Sequence, residues 1–338
     1  MEFNDFSKAL KKFMTYYLPT IRSASARTID SYRYTFILFL DYMNSVQHKE
    51  PSMVTIQDIN YSNVTSFLAW LETVKGNKAN TVNQRHAAIS CYCRFLGHEY
   101  PEYLLDMNNT LAIPYKKAES KAISYVSKEG VELITSLPNI ETGDGLRDKL
   151  ILCLLFSTGV RVSELIQIRV RDVSLSQPRS ILIHGKGGKD RFVPIAKQYI
   201  PLFRKYFEIN ELDLSVNHSQ WLFKNHQHLQ LSRQGVDYIL KKYAALARKE
   251  KPTLFSRSIS PHVARHSAAM NLLESGVPLL YIRDLLGHSS VVTTEVYARA
   301  SETAKCRAIE KASAAFFPKE EPKWKKEGDI LSWLKSPK

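Results

Sequence analysis

The chain has 338 residues, 44% of them apolar, which is enough for one large or two ordinary domains with real cores. Its 47 Lys and Arg against 33 Asp and Glu leave a net charge of +14. An excess of that size attracts polyanions, the phosphate backbone of nucleic acid first among them, although charge alone fits a generally basic soluble protein as well. Four cysteines in so long a chain argue against a disulfide framework, and the longest apolar run, Leu150 to Phe156, is far too short to span a bilayer. The first residues, Met-Glu-Phe-Asn-Asp, carry no signal-peptide pattern, so a cytoplasmic protein is expected.

Phe6 to about Tyr103 reads as helices. Thr28, Tyr32, Phe36, Phe39 and Leu40 recur at near-helical spacing, as do Val64, Phe67, Leu68 and Leu71, and Thr81 to Phe95 forms a third run. Arg22, Arg27, Arg33, Lys75, Lys78, Arg85 and Arg94 are interleaved with aromatic residues here. Such a segment suits either a nucleic-acid face or an ordinary helical bundle with a solvated basic side. Cys91 and Cys93 are two apart on one helix and diverge, so they read as small core residues rather than metal ligands. A linker is expected over residues 112–126, where Pro114 and three lysines interrupt the apolar periodicity.

Ser127 is placed to cap a helix running to Leu137. Leu146 to Ile168 reads as two helices joined at Ser157-Thr-Gly, with Arg161 near the start of the second, where a helix N-terminus would assist an anion. Glu164 lies one turn later and is placed to orient Arg161. Ser180 to His184 and Phe192 to Ile195 alternate as strands, joined by the turn Gly185 to Asp190. Gly-Lys-Gly-Gly-Lys in that turn lacks the spacing of a nucleotide-binding loop. His262 and His266 are four apart, as in a helical zinc site, but Val263 stands where a zincin needs Glu and Arg265 would repel the cation. No metal and no other cofactor is therefore expected. His266 reads as a structural neighbour. His288 follows Gly287 at a predicted helix start. Ser301 to Phe317 has the spacing of an amphipathic helix, residues 318–328 read as a charged spacer, and Ile330, Leu331, Trp333 and Leu334 form a short apolar patch.

Arg161, His262, Arg265, His288 and Tyr297 are what a protein needs to attack a phosphodiester with a phenol. The transition state carries charge on non-bridging oxygens, and a guanidinium donates two parallel hydrogen bonds to such oxygens without deprotonating. Histidine can donate to the same oxygens or accept a proton. A phenol with a pKa near 10 is ionised in only about one molecule in a thousand at pH 7, so neighbouring cations and a base must make up the deficit.

These residues resemble the tyrosine recombinase (phage integrase) family. Arg161 and Glu164 match its Thr-Gly-hydrophobic-Arg-hydrophobic-x-Glu-Leu box. His262 and Arg265 match His-x-x-Arg, His288 matches the second His position, and Tyr297, nine residues later, matches the nucleophile. Lys186 matches the β-hairpin lysine, which the resemblance makes the general acid for the leaving 5′-oxygen.

The resemblance implies a mainly α protein with a small β-sheet (α+β), forming a C-shaped DNA clamp. The expected division is a helical, SAM-like core-binding domain over 1–111, a basic linker over 112–126, a catalytic domain over 127–317 and a tail over 318–338. Arg27, Arg33, Lys78, Arg85, Lys116, Lys117, Lys189 and Arg191 are the expected DNA contacts. The implied reaction cuts and rejoins DNA through a 3′-phosphotyrosyl intermediate and a Holliday junction. The implied partner is double-stranded DNA with inverted half-sites, bound by a dimer at each site and a homotetramer on paired sites, with or without other recombinase or accessory proteins. The 41 residues beyond Tyr297 lean toward an integrase or transposase of a mobile element. Alternatives are Xer-like resolution of chromosome or plasmid dimers, a type IB topoisomerase and a non-catalytic DNA-binding protein.

Overall fold

The computed structural model describes residues 4–118, 123–185, 188–212, 219–255, 258–288 and 290–301, with 306, 309, 310, 334 and 335 besides. Lys186, and nearly all of the segment expected as a tail helix, spacer and apolar patch, lie outside them. The chain divides into two compact units, Met1–Lys121 and Ala122–Lys338.

The first unit is helical. α1 (Asp5–Lys12) runs into a π-helical stretch, Phe13–Ile21. There follow α2 (Ala26–Ser45), α3 (Tyr61–Thr73), α4 (Ala79–Glu99) and α5 (Leu104–Leu111). Asn4, Ser25 and Asn60 cap the first three α-helices by accepting from backbone N–H groups in the first turn. Phe13 organises the core: its ring lies 5.0 Å from Tyr92, 5.3 Å from Phe95, 5.6 Å from Tyr17 and 6.2 Å from Phe36. Cys91 and Cys93 are buried, as small core residues should be, and burial raises both thiol pKa values. The expected linker begins as part of this unit. Ile113 is buried in its core, and the Lys116 backbone N–H donates to Asn83 Oδ1 at 2.9 Å.

The second unit is built around α7 (Gly143–Thr158), whose Leu146, Leu150, Ile151, Leu154 and Leu155 are all buried. Its apolar residues lie all round the helix, as befits an element enclosed on every side. α6 (Lys128–Ser136), capped by Ser127, packs on it. After Gly159 comes α8, which spans only Val162–Leu165, followed by a 3₁₀ turn at Val170–Asp172. The helix expected to continue to Ile168 is thus a single capped turn. Glu164 turns its carboxylate back to the Arg161 backbone N–H at 3.0 Å, and the chain then leaves helical geometry.

A three-stranded antiparallel sheet in the order β1 (Val173–Ser174), β2 (Ser180–Ile183), β3 (Arg191–Pro194) pairs Ile181 with Val193 and Ile183 with Arg191. β1 has two residues, too few for any periodicity to show in the sequence. α9 (Ile200–Ile209) and α10 (Arg233–Glu250) complete the main core.

α11 (Pro261–Glu274) packs against α7, and its Ala264 and Ala268 are both fully buried, Ala268 beside Gly159 at the end of α7. α12 (Leu279–Leu286) and α13 (Val292–Ala300) close the unit. They share a small second core of Ala269, Met270, Ile282, Leu286 and Tyr297.

Gly159 ends α7 in the left-handed region, with φ +61°, and a Cβ there would lie 2.5 Å from Leu286 Cδ2 and 3.3 Å from Ala268 Cβ. Strain and overpacking act together at this position. Gly159→Ala should destabilise the second unit by roughly 1–3 kcal/mol, read as a lowered denaturant midpoint at unchanged m-value.

Candidate active site

Five elements deliver the site: the start of α8, α11, β3, the end of α12 and α13. Arg161 sits in extended backbone (φ −68°, ψ 144°) between Gly159 and α8. Its Nη1 donates to Glu164 Oε1 at 2.7 Å and its Nη2 to the Gly287 carbonyl at 3.4 Å. Arg265, on α11, is 7% exposed. Its Nη1 donates to the Gly159 carbonyl and its Nη2 to the Leu286 carbonyl, both at 2.6 Å. Burial, then repulsion from Arg161, lowers its pKa to about 10, so it stays a cation at neutral pH.

A third arginine joins them. Arg191, at the start of β3, donates from Nη2 to Glu164 Oε2 and from Nε to the Leu285 carbonyl, both at 2.8 Å. The consecutive carbonyls of Leu285, Leu286 and Gly287 therefore each accept from a different arginine. These are the C-terminal carbonyls of α12, where a helix presents partial negative charge. Gly287 turns the chain with φ +65°, and a Cβ there would meet the Arg191 guanidinium at 2.9–3.2 Å. It ends α12 rather than starting a helix, because this left-handed turn suits a helix C-terminus. His288 lies in the connection that follows.

Glu164 is the carboxylate at the centre. Burial pushes its pKa up, but hydrogen bonds from Arg191 and Arg161 outweigh that and hold it below the usual value. One buried carboxylate facing three guanidiniums leaves a cationic surplus, the condition for binding an anion.

His288 is half-buried, with Nδ1 2.9 Å from Thr294 Oγ1. Burial, with the charges of Arg265, Arg161 and Arg191, lowers its pKa to about 4, so the imidazole is neutral at pH 7. Tyr297, on α13, is 2% exposed, and its phenol oxygen lies 3.0 Å from His266 Nδ1. Burial raises the phenol's pKa while the charge of Arg265 pulls it back. His262 is exposed in the first turn of α11, three residues before Arg265.

The expected DNA contacts lie in different surroundings. Arg27, Lys78, Lys117 and Lys189 are exposed, and Arg33 is exposed beside Asp30. Arg85 is turned inward to the Ser31 carbonyl and Thr35 Oγ1, with its guanidinium over the Tyr34 ring. Lys116 is paired with Glu72. Arg191 belongs to the arginine cluster, and only 12% of its side chain is exposed. Sequence reasoning missed the joining of Arg191 to the clamp and the contact of His266 with the phenol. The i,i+4 spacing of His262 and His266 was the one available signal for His266, and it points to metal rather than to tyrosine.

The sequence profile described as the phage integrase family matches residues 124–304. The chain belongs to that family. A second profile, the phage integrase N-terminal SAM-like domain, matches residues 10–100. The chain is 30% identical to a putative integrase/recombinase of Sinorhizobium fredii, y4rC, over 97% of both chains. It is 31% identical to the tyrosine recombinase XerC of Roseiflexus castenholzii over 82% of this chain and 84% of that one. Among solved structures, it resembles a Tn1549 transposon integrase in complex with a circular intermediate DNA, with a TM-score of 0.66 at 12% identity over 92% and 100% of the two chains. XerH bound to its palindromic difH substrate gives a TM-score of 0.65 at 20% identity over 87% and 81%. Those two likenesses concern the fold. As a tyrosine recombinase, the chain is a DNA strand-exchange transesterase.

The two placements of Arg191 predict opposite outcomes. If it braces the clamp, Arg191→Lys should slow covalent adduct formation roughly 10- to 100-fold, because a point charge cannot hold Glu164 and the Leu285 carbonyl together. DNA affinity in a band-shift titration should change little. A phosphate-backbone contact would instead lower affinity and flatten its salt dependence.

Proposed function

We propose that Tyr297 is the nucleophile and that Arg161 and Arg265 clamp the scissile phosphate. The observation that supports this most is the cationic surplus around a single buried carboxylate, built beside a phenol held by a neutral histidine. Donors preorganised where charge develops are worth roughly 2.7–4 kcal/mol each on removal. His262 and His288 would donate to the phosphorane oxygens, and Lys186 would protonate the leaving 5′-oxygen. The product is a 3′-phosphotyrosyl ester close in energy to the bond it replaces, so the 5′-hydroxyl of an exchanged strand can attack it without ATP. Two rounds of such exchange pass through a Holliday junction.

The partner on this reading is double-stranded DNA with inverted half-sites, bound by one dimer per site and by a tetramer when two sites pair. Arg27, Arg33, Lys78, Lys117 and Lys189 would meet phosphates, while specificity comes from base edges. Among the described residues no helix is long and apolar enough to cross a membrane. Action on DNA in the cytoplasm is consistent with that.

For the biological role we favour integration or transposition of a mobile element. Near-complete mutual coverage with the putative integrase/recombinase y4rC supports it. A second reading, Xer-like resolution of dimers, is favoured by the XerC and XerD relatives at about the same identity. Mapping where the protein is covalently trapped on DNA flanking its own gene separates the two.

Tyr297→Phe should keep DNA affinity and lose every covalent adduct on a nicked suicide substrate, read by denaturing electrophoresis. The wild-type chain should form the adduct in EDTA, since arginines would take the role that metals play in two-metal nucleases. An adduct in the Phe variant would place the nucleophile at another tyrosine.

The tail carries a further expectation. An apolar patch on a charged tether calls for a cover, either its own catalytic domain or a neighbouring subunit, and the second would couple assembly to cleavage. Ending the chain after Phe317 should leave half-site binding intact and abolish synapsis and recombination. Normal recombination by the truncated chain would show that the tail is no coupling element.

A further inference from the structure

His266 falls outside the residues that the family boxes assign, yet it makes the one side-chain hydrogen bond to Tyr297 among the described residues. Its Nδ1 lies 3.0 Å from the phenol oxygen, and the two rings are 5.7 Å apart at 58°. Both groups are held by packing. Tyr297 is fixed in the small core of Ala269, Met270, Ile282 and Leu286, and His266 is half-buried on α11 directly after Arg265.

The titratable and charged groups around the imidazole are His262 and Arg265 on its own helix, Tyr297 on α13, and His288 from the turn after α12. None of these is a carboxylate, so no group among the described residues favours the imidazolium. Burial, then His262 and Arg265, lowers the His266 pKa below its ordinary value. The imidazole is therefore neutral at pH 7, and with its proton on Nε2 it offers the Nδ1 lone pair to the phenol. Arg265 cannot serve as the base, because its guanidinium donates to two main-chain carbonyls. His288 already directs its own Nδ1 at Thr294.

From this geometry we propose that His266 is the proton acceptor for Tyr297. The proposal rests on Tyr297 being the nucleophile. In the forward step the phenol O–H bond breaks and its proton moves to Nδ1, giving an imidazolium. The phenol oxygen bonds to phosphorus as the bond from phosphorus to the 5′-oxygen breaks, and that oxygen takes its proton from a separate acid. In religation the 5′-hydroxyl attacks, the phenolate leaves, and Nδ1 returns its proton. Before DNA arrives the same hydrogen bond keeps the phenol neutral and fixed. The incoming phosphate offsets the positive charges of Arg161 and Arg265, and so strengthens the imidazole as a base at the moment of attack.

His266→Gln tests this, because the amide can still hydrogen-bond the phenol but cannot take a proton at neutral pH. Single-turnover adduct formation should fall about 100-fold at pH 7, the lower end of what a general base supplies. The wild-type rate should decline on the acid side as His266 protonates. The variant should lack that decline and instead rise with pH as the phenol ionises by itself. Placing 3,5-difluorotyrosine at 297, which lowers the phenol pKa, should restore much of the variant's rate. A His266→Gln chain that folds, binds DNA and cleaves at the wild-type rate overturns the proposal, as does a wild-type pH profile in the variant.

A chain with His266 intact and difluorotyrosine at 297 gives an independent measurement that does not depend on the variant folding. Its acid-side decline should stay where the wild-type decline lies, because it belongs to the imidazole. A decline that moves down with the phenol pKa overturns the proposal. Adduct formation by the wild-type chain and its loss in Tyr297→Phe test the nucleophile separately, so failure of one reading is distinguishable from failure of the other.

Discussion

The site depends on three successive main-chain carbonyls. Those of Leu285, Leu286 and Gly287 each accept a guanidinium N–H, from Arg191, Arg265 and Arg161 respectively. Gathering three like charges in a partly buried space is unfavourable, and the usual remedy is an equal number of carboxylates. Among the described residues Glu164 is the one carboxylate bonded to them, and helix-end dipoles do the rest. Carbonyls hold the arginines without neutralising them. A pair of further carboxylates would have bound the guanidiniums just as firmly and left no attraction for an anion.

Every neighbouring element serves that junction. α7 ends at Gly159, whose carbonyl accepts from Arg265 and whose lack of a side chain leaves room for Leu286. α11 packs on α7, which brings Arg265 to the Gly159 carbonyl at the end of α7. β3 carries Arg191, so the strand that leads away from the hairpin turn is tied to the same point as the clamp. α13 hangs from a small separate core, and its tyrosine is part of that core. Leu286, whose carbonyl accepts from Arg265, belongs to the same core, so the clamp and the phenol share one packing unit.

Much of this was legible in the sequence. The helical runs of the first unit, the hairpin strands and the Ser127 cap follow from side-chain type and spacing, and the boxes around Arg161, Arg265 and Tyr297 from the family resemblance. Arg161 and Glu164 read as a pair because they are three residues apart, and the structure joins them. The place of Arg191 in the arginine cluster is not legible, because its partners are a carboxylate 27 residues before it and a carbonyl 94 residues after it. A main-chain acceptor leaves no mark in composition. α8 also reads too long, because the apolar spacing runs on to Ile168 while the helix closes at Ile166. His266 was read as a bystander because one histidine beside a required arginine looks structural until the tyrosine from another helix is placed against it.

Because the arginines are anchored on backbone oxygens, the frame of the clamp is largely insulated from substitution. Exchange of Leu285 or Leu286 for another residue that packs leaves the acceptor where it was. Gly287, like Gly159, carries a constraint that side-chain chemistry can violate, through its φ of +65° and the guanidinium that occupies the space a Cβ would need. A reactive centre written mainly in main-chain atoms can keep its shape while the sequence around it drifts.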